Sequence, residues 1–139
     1  MVQAATSQVD KAKRTGDRDY LQAAAFSLQN FYMGVERVFE EVAKQVDLSL
    51  PTGASSHKEL LEQMGLEIVK VRPVVLRDET LDRLQDYRGF RHVAIHRYGF
   101  ELKLDRVQAL VEALPECYNN FLEDMQAFCE FLLQLEQSS

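Results

Sequence analysis

An all-α fold is what this sequence predicts, and three observations carry it. Leu and Ala are abundant, while 139 residues hold only 6 Gly and 3 Pro, so helix-breaking residues are scarce. Apolar residues recur in steps of three and four over two long stretches, the spacing of one helical face. Val74-Val75-Leu76 is β-favouring but too short to require a strand. The expected architecture is a helical bundle of two long antiparallel helices and shorter ones, in a single domain over residues 1–139. A chain of this size can bury one core without disulfides or metals.

Residues 1–15 read as a short or frayed helix. Gly16 interrupts, and Asp17 is a suitable N-cap. A long helix then runs to about Val46, with Leu21, Ala25, Leu28, Tyr32, Val35, Phe39, Val42 and Val46 on its stripe. Phe26, Phe31 and Val38 widen that stripe, which points to burial on two sides. Pro51 and Gly53 mark a loop over 47–56. Ser55 or Ser56 caps a short helix from His57 to Leu66, its inner side made of Leu60, Leu61 and Met64. Residues 69–77 form a connector, since Pro73 disfavours helix at Arg72. Asp78 caps the next helix, Glu79 to about Tyr98, with Leu81, Leu84, Tyr87 and Phe90 or Ile95 facing inward and Gly99 as its stop. The last helix runs from about Lys103 to Leu135 on a stripe from Val107 to Leu135. Pro115 lies inside it and is expected to kink or split it.

Bulk composition excludes several classes. A hydrophobic content of 46% with 27% charged residues fits an ordinary soluble protein. No apolar run reaches membrane-spanning length, and the first residues lack the pattern of a secretory leader. Cys117 and Cys129 fall in one expected helix, roughly 18 Å apart along its axis, so they cannot pair and read as small core residues. A reducing cytoplasm is the expected setting. The net charge of -6 opposes a polyanion partner, but its distribution does not. Residues 70–106 carry nine basic and six acidic groups, a local +3 against -9 elsewhere. Such a face can still meet nucleic acid. Arg83 and Arg106 within it read as ordinary solvated charge.

The densest reactive stretch is Arg91-His92-Val93-Ala94-Ile95-His96-Arg97-Tyr98. Arginine offers a planar fork that matches phosphate oxygens, and histidine titrates near neutrality and can serve as acid or base. Metal-free RNA cleavage needs such groups: the 2′-hydroxyl loses a proton, the leaving 5′-oxygen gains one, and the phosphate between them carries extra charge. On a straight helix Arg91 and His96 stand roughly 140° apart around the axis. They meet one phosphate only if the helix bends or ends, or if a second subunit completes the site. One chain also supplies one motif histidine where acid and base roles want two. A twofold dimer answers both needs. His92 and His96 sit one turn apart, but no third ligand or acidic spacing of a zinc helix accompanies them, so no metal is expected.

Arg91-x4-His96-x-Tyr98 near a helix end resembles the HEPN ribonucleases and, more narrowly, the HepT-type toxins of toxin-antitoxin pairs. Phe31 through Glu40, Leu60 through Met64 followed by Arg72-Pro73, and Phe90 through Leu102 extend the likeness over roughly residues 20–135. The resemblance implies a HEPN-like bundle acting as a homodimeric, metal-independent endoribonuclease, with Arg91 and His96 catalytic in a cleft between subunits. It implies transfer RNA as the type of target and a minimal nucleotidyltransferase as antitoxin. That partner would transfer AMP from ATP onto Tyr98, so ATP serves the antitoxin and this chain needs no cofactor. The position after the arginine, often asparagine in the family, is His92 here, and its role stays open. His92, Arg88 and Arg97 are candidates for supporting or RNA-contacting roles. The alternative is an inactive HEPN module that docks a nucleotidyltransferase or RNA; a helical adaptor with an incidental basic face is a third reading.

Overall fold

The computed structural model describes residues 2–15, 18–96 and 103–138. In chain order these form α1 (Val2–Thr15), α2 (Arg18–Val42), a π-helical turn (Ala43–Asp47), α3 (Ser56–Met64), α4 (Asp78–His96) and α5 (Leu104–Ser138). Among the described residues there is no strand, only an isolated bridge between Ile68 and Arg72. The all-helical bundle arises from the apolar stripes. Leu21, Ala25, Leu28, Tyr32, Val35, Phe39 and Val42 of α2 are buried, as are Leu60, Leu61 and Met64 of α3 and Leu84, Tyr87 and Phe90 of α4. The N-terminal segment is a full helix that seats Ala5 and Val9 in the core.

Contacts fix how the helices run. Along α4 and α5, Arg77 meets Asp124, Arg83 meets Glu116, and Tyr87 donates to the Leu110 carbonyl at 2.7 Å, so the pair is antiparallel. α4 also runs against α2: Asp47, past the end of α2, meets Arg72 ahead of α4, whereas Phe31 meets Tyr87. The two longest helices touch through Phe31 on Tyr118 and Phe39 on Phe121, both edge-on, and run in the same direction rather than antiparallel as expected, because α4 is antiparallel to each.

Several expectations from the stripes are corrected. Phe26 is 62% exposed and Val38 is also exposed, so only Phe31 widens the buried face of α2. Cys129 is exposed because it faces away from the core that Phe128 and Leu132 meet, and Leu135 is exposed near the end of α5. Cys117 is the buried cysteine, and burial pushes its thiol up to about 12, with the charges of Arg83 and Asp86 acting in opposite senses. Pro115 does not split α5, which continues as one helix to Ser138. The proline lies on an exposed face, while Val111, Leu114, Cys117 and Phe121 are buried and hold the helix in the core across it. The Asp17 cap and the Gly99 stop lie outside the described residues.

The turn leading into α4 is tied down tightly. The π-helical turn ends at Leu48, in the left-handed region at φ 56°, and delivers Asp47 to Arg72. Both side chains are fully buried. Arg72 Nε donates to Asp47 Oδ1 at 2.5 Å and Nη2 to Oδ2 at 2.7 Å. Nη1 donates to the carbonyls of Leu66 and Pro73, and Nη2 also to that of Gln63. All five donors of the guanidinium are thereby used. Burial works to raise the Asp47 carboxyl, but the hydrogen bonds from Arg72 and Gln63 and the Arg72 charge outweigh it and hold the group below its ordinary value.

Candidate active site

Helix α4 carries residues 91–96 of the reactive stretch at its C-terminal end. Its backbone is helical through His96. Positions 91 and 96 are thus separated by roughly 140° about the helix axis. The side chains of His92 and His96, and all of Arg97 and Tyr98, lie outside the described part of the structure. Arg88 and Arg91 are half-buried on the α4 face toward α2. Arg88 Nε donates to Gln85 Oε1 at 2.9 Å. Arg91 Nε is buried and has no hydrogen-bond partner among the described residues.

Opposite these arginines, α2 presents a buried polar group. Tyr32 and Glu36 are one turn apart, 0% and 5% exposed. Glu36 Oε1 lies 2.7 Å from His57 Nδ1, which ties α2 to the first turn of α3. His57 is on the surface, as its position suggests, but it is not a bystander. The Tyr32 phenol is pushed well above its ordinary range, first by burial and then by the Glu36 charge, with Arg88 and Arg91 pulling the other way. Glu36 Oε2 and the Tyr32 hydroxyl have no hydrogen-bond partner among the described residues. Periodicity alone places Tyr32 in the apolar stripe and does not single out Glu36. The available signal is a carboxylate one turn beyond a stripe tyrosine, on the buried side of the helix.

The basic segment is less open than its charge count suggests. Arg72 is locked to Asp47. Arg77 bridges Glu79, Glu123 and the buried Asp124, and its hydrogen bond to Asp124 raises its already high pKa. Arg83 pairs with Glu116 at 2.8 Å. These three serve the bundle rather than a polyanion. Among the described residues near the motif, Arg88 and Arg91 lie within electrostatic reach of Tyr32 on α2. Among the described residues no group of three or more His, Cys, Asp and Glu side chains could hold a metal ion. No described helix is long and apolar enough to cross a membrane.

A family model described as HepT-like protein matches residues 23–132. That range takes in α2 through most of α5, and so the Arg91-to-Tyr98 stretch with the helices that carry it. No curated protein and no solved structure matches the chain.

Proposed function

Because the chain belongs to the HepT-like family, we propose that it is the toxin of a toxin-antitoxin pair and acts as a metal-independent endoribonuclease. The observation that carries the reading is Arg91: a half-buried guanidinium whose Nε donor has no partner among the described residues, on the helix that bears His96, inside the matched region. A structural arginine would use its donors, as Arg72 does. In the proposed reaction, an imidazole takes the proton of the ribose 2′-hydroxyl as its oxygen attacks phosphorus. The bond to the 5′-oxygen breaks, and a second imidazole protonates that leaving oxygen. The products are a 2′,3′-cyclic phosphate and a 5′-hydroxyl. Arg91 holds the phosphate oxygens, where charge accumulates at the crossing point. The two imidazoles are the His96 side chains of a homodimer, and the helical spacing of positions 91 and 96 is the reason one protomer does not suffice.

Transfer RNA is the proposed substrate and a minimal nucleotidyltransferase the proposed partner. AMP transferred from ATP to Tyr98 would add negative charge seven residues after Arg91 in the sequence, and so repel RNA from the clamp. Expression of the chain alone in bacteria tests the function. Growth arrest is expected, relieved by Arg91→Ala or His96→Ala and by co-expression of the partner. Unimpaired growth, with a purified protein that cuts no RNA, would leave a docking module instead. Tyr98→Phe is expected to gain no AMP mass from the partner, and a variant that still gained it would remove Tyr98 from the scheme.

A further inference from the structure

Three buried polar atoms on α2 and α4 have complementary hydrogen-bonding capacity and no hydrogen-bond partner among the described residues: Glu36 Oε2, the Tyr32 hydroxyl and Arg91 Nε. The carboxylate oxygen only accepts, Nε–H only donates, and the phenol does both. Leaving such a group buried and unpaired costs stability, so three in one neighbourhood need an explanation. The carboxylate is not loose, because His57 fixes its other oxygen at 2.7 Å. Tyr32 shares a face of α2 with Glu36, and it lies within electrostatic reach of Glu36, Arg88 and Arg91. The α2 and α4 faces pack directly, Phe31 against Tyr87 with ring centroids 5.4 Å apart.

We propose that Glu36, clamped by His57, is a positioning residue for Arg91, linked to it through the Tyr32 hydroxyl. The phenol donates to Glu36 Oε2 and accepts from Arg91 Nε–H through one water each, since the structure makes neither bond directly. This leaves the two terminal nitrogens of Arg91 for the phosphate. The link tightens when substrate engages Arg91, as hydrogen bonds in unliganded active sites commonly do. The proposal rests on the ribonuclease reading above and adds to it a carboxylate that never touches RNA. The pair also couples α3 to the site, since His57 opens that helix.

The test uses the full chain and two readouts. Glu36→Gln keeps the shape and removes the charge; Tyr32→Phe removes only the hydroxyl. Each is expected to lower kcat for RNA cleavage by about 10- to 100-fold, the scale of a slightly misplaced group, with KM nearly unchanged. Each is also expected to move the Arg91 Nε–H resonance, assigned by its loss in Arg91→Lys. Glu36→Asp, which keeps the charge, should recover part of the rate. Normal kcat with an unmoved resonance in both variants overturns the proposal. Should Glu36→Gln melt far below wild type, Tyr32→Phe alone decides, because it leaves the His57 pair intact. A wild-type protein that cuts no RNA counts against the ribonuclease reading, whereas the resonance still reports whether Glu36 and Arg91 are linked.

Discussion

Arg72 precedes α4 and Arg91 lies in its last turns, and the two have opposite surroundings. Arg72 is sealed, with its five donors distributed over Asp47 and the carbonyls of Gln63, Leu66 and Pro73. Arg91 is half-buried, its Nε donor has no partner among the described residues, and the nearby phenol and carboxylate oxygen have none either. A closed hydrogen-bond inventory marks a group that holds the chain together. An open one, kept at a cost in stability, marks a group whose partner comes from elsewhere. The contrast separates two arginines that composition and charge counting treat alike.

The largest break in this comparison should come from Arg72→Ala. It strands the Asp47 carboxylate in the interior, and loss of one partner of a buried pair costs about 3–5 kcal/mol; chemical denaturation would measure it. A loss below about 1 kcal/mol would mean the lock carries little of the fold. Next is Arg91→Ala, expected to reverse the pattern. Cleavage should fall by about 10²-fold or more, while the denaturation midpoint stays close to wild type. A variant that unfolds instead would place Arg91 with Arg72 as a structural residue.

Acid sharpens the same distinction at smaller scale. Asp47 is held below its ordinary value of 3.8, so the folded state binds this proton less readily than the unfolded chain does. Its contribution is fully present above that ordinary value and fades as pH falls through the lowered folded value. Wild-type stability should therefore drop on acidification below about pH 4. Asp47→Asn, already weakened at neutral pH, should show a shallower decline in equilibrium unfolding. Equal slopes would exclude Asp47 as an acid-sensitive group. The smallest effect concerns Lys70, which sits at φ 67° in the tight turn that feeds Arg72 into its pocket. Lys70→Gly should relieve left-handed strain at some entropic cost, a net gain of about 0.5 kcal/mol, read from the melting temperature. A net loss would mean that the turn is not strained.

The bundle was legible in the sequence because its stripes are long and regular. Leu21 to Val42 and Val107 to Phe128 hold their spacing over many turns, and burial tracks it closely. The errors share one cause. Phe26, Val38, Cys129 and Leu135 extend a stripe past the width or length of the helices packed against it, and periodicity says nothing of where a neighbour stops. Pro115 was legible as a defect but not in its outcome, since solvent on one side and packing on the other let the helix continue. Arg91 stood out through its motif. The buried group opposite it did not, because Glu36 and His57 are 21 residues apart and each alone reads as an ordinary surface charge. The Asp47–Arg72 lock was hidden for the same reason, 25 residues apart, with Arg72 counted toward a basic face.

The π-helical turn at Ala43–Asp47 makes chain length itself a constraint there. A π turn accommodates one residue more than the α-helix it interrupts. Deleting one residue of 43–46 while the wide turn persists would rotate the backbone that follows it by about 100°. Asp47 would then swing away from its guanidinium although every side chain of the lock remained encoded. Substitution can probe this stretch residue by residue, but a one-codon deletion would act on all of it at once.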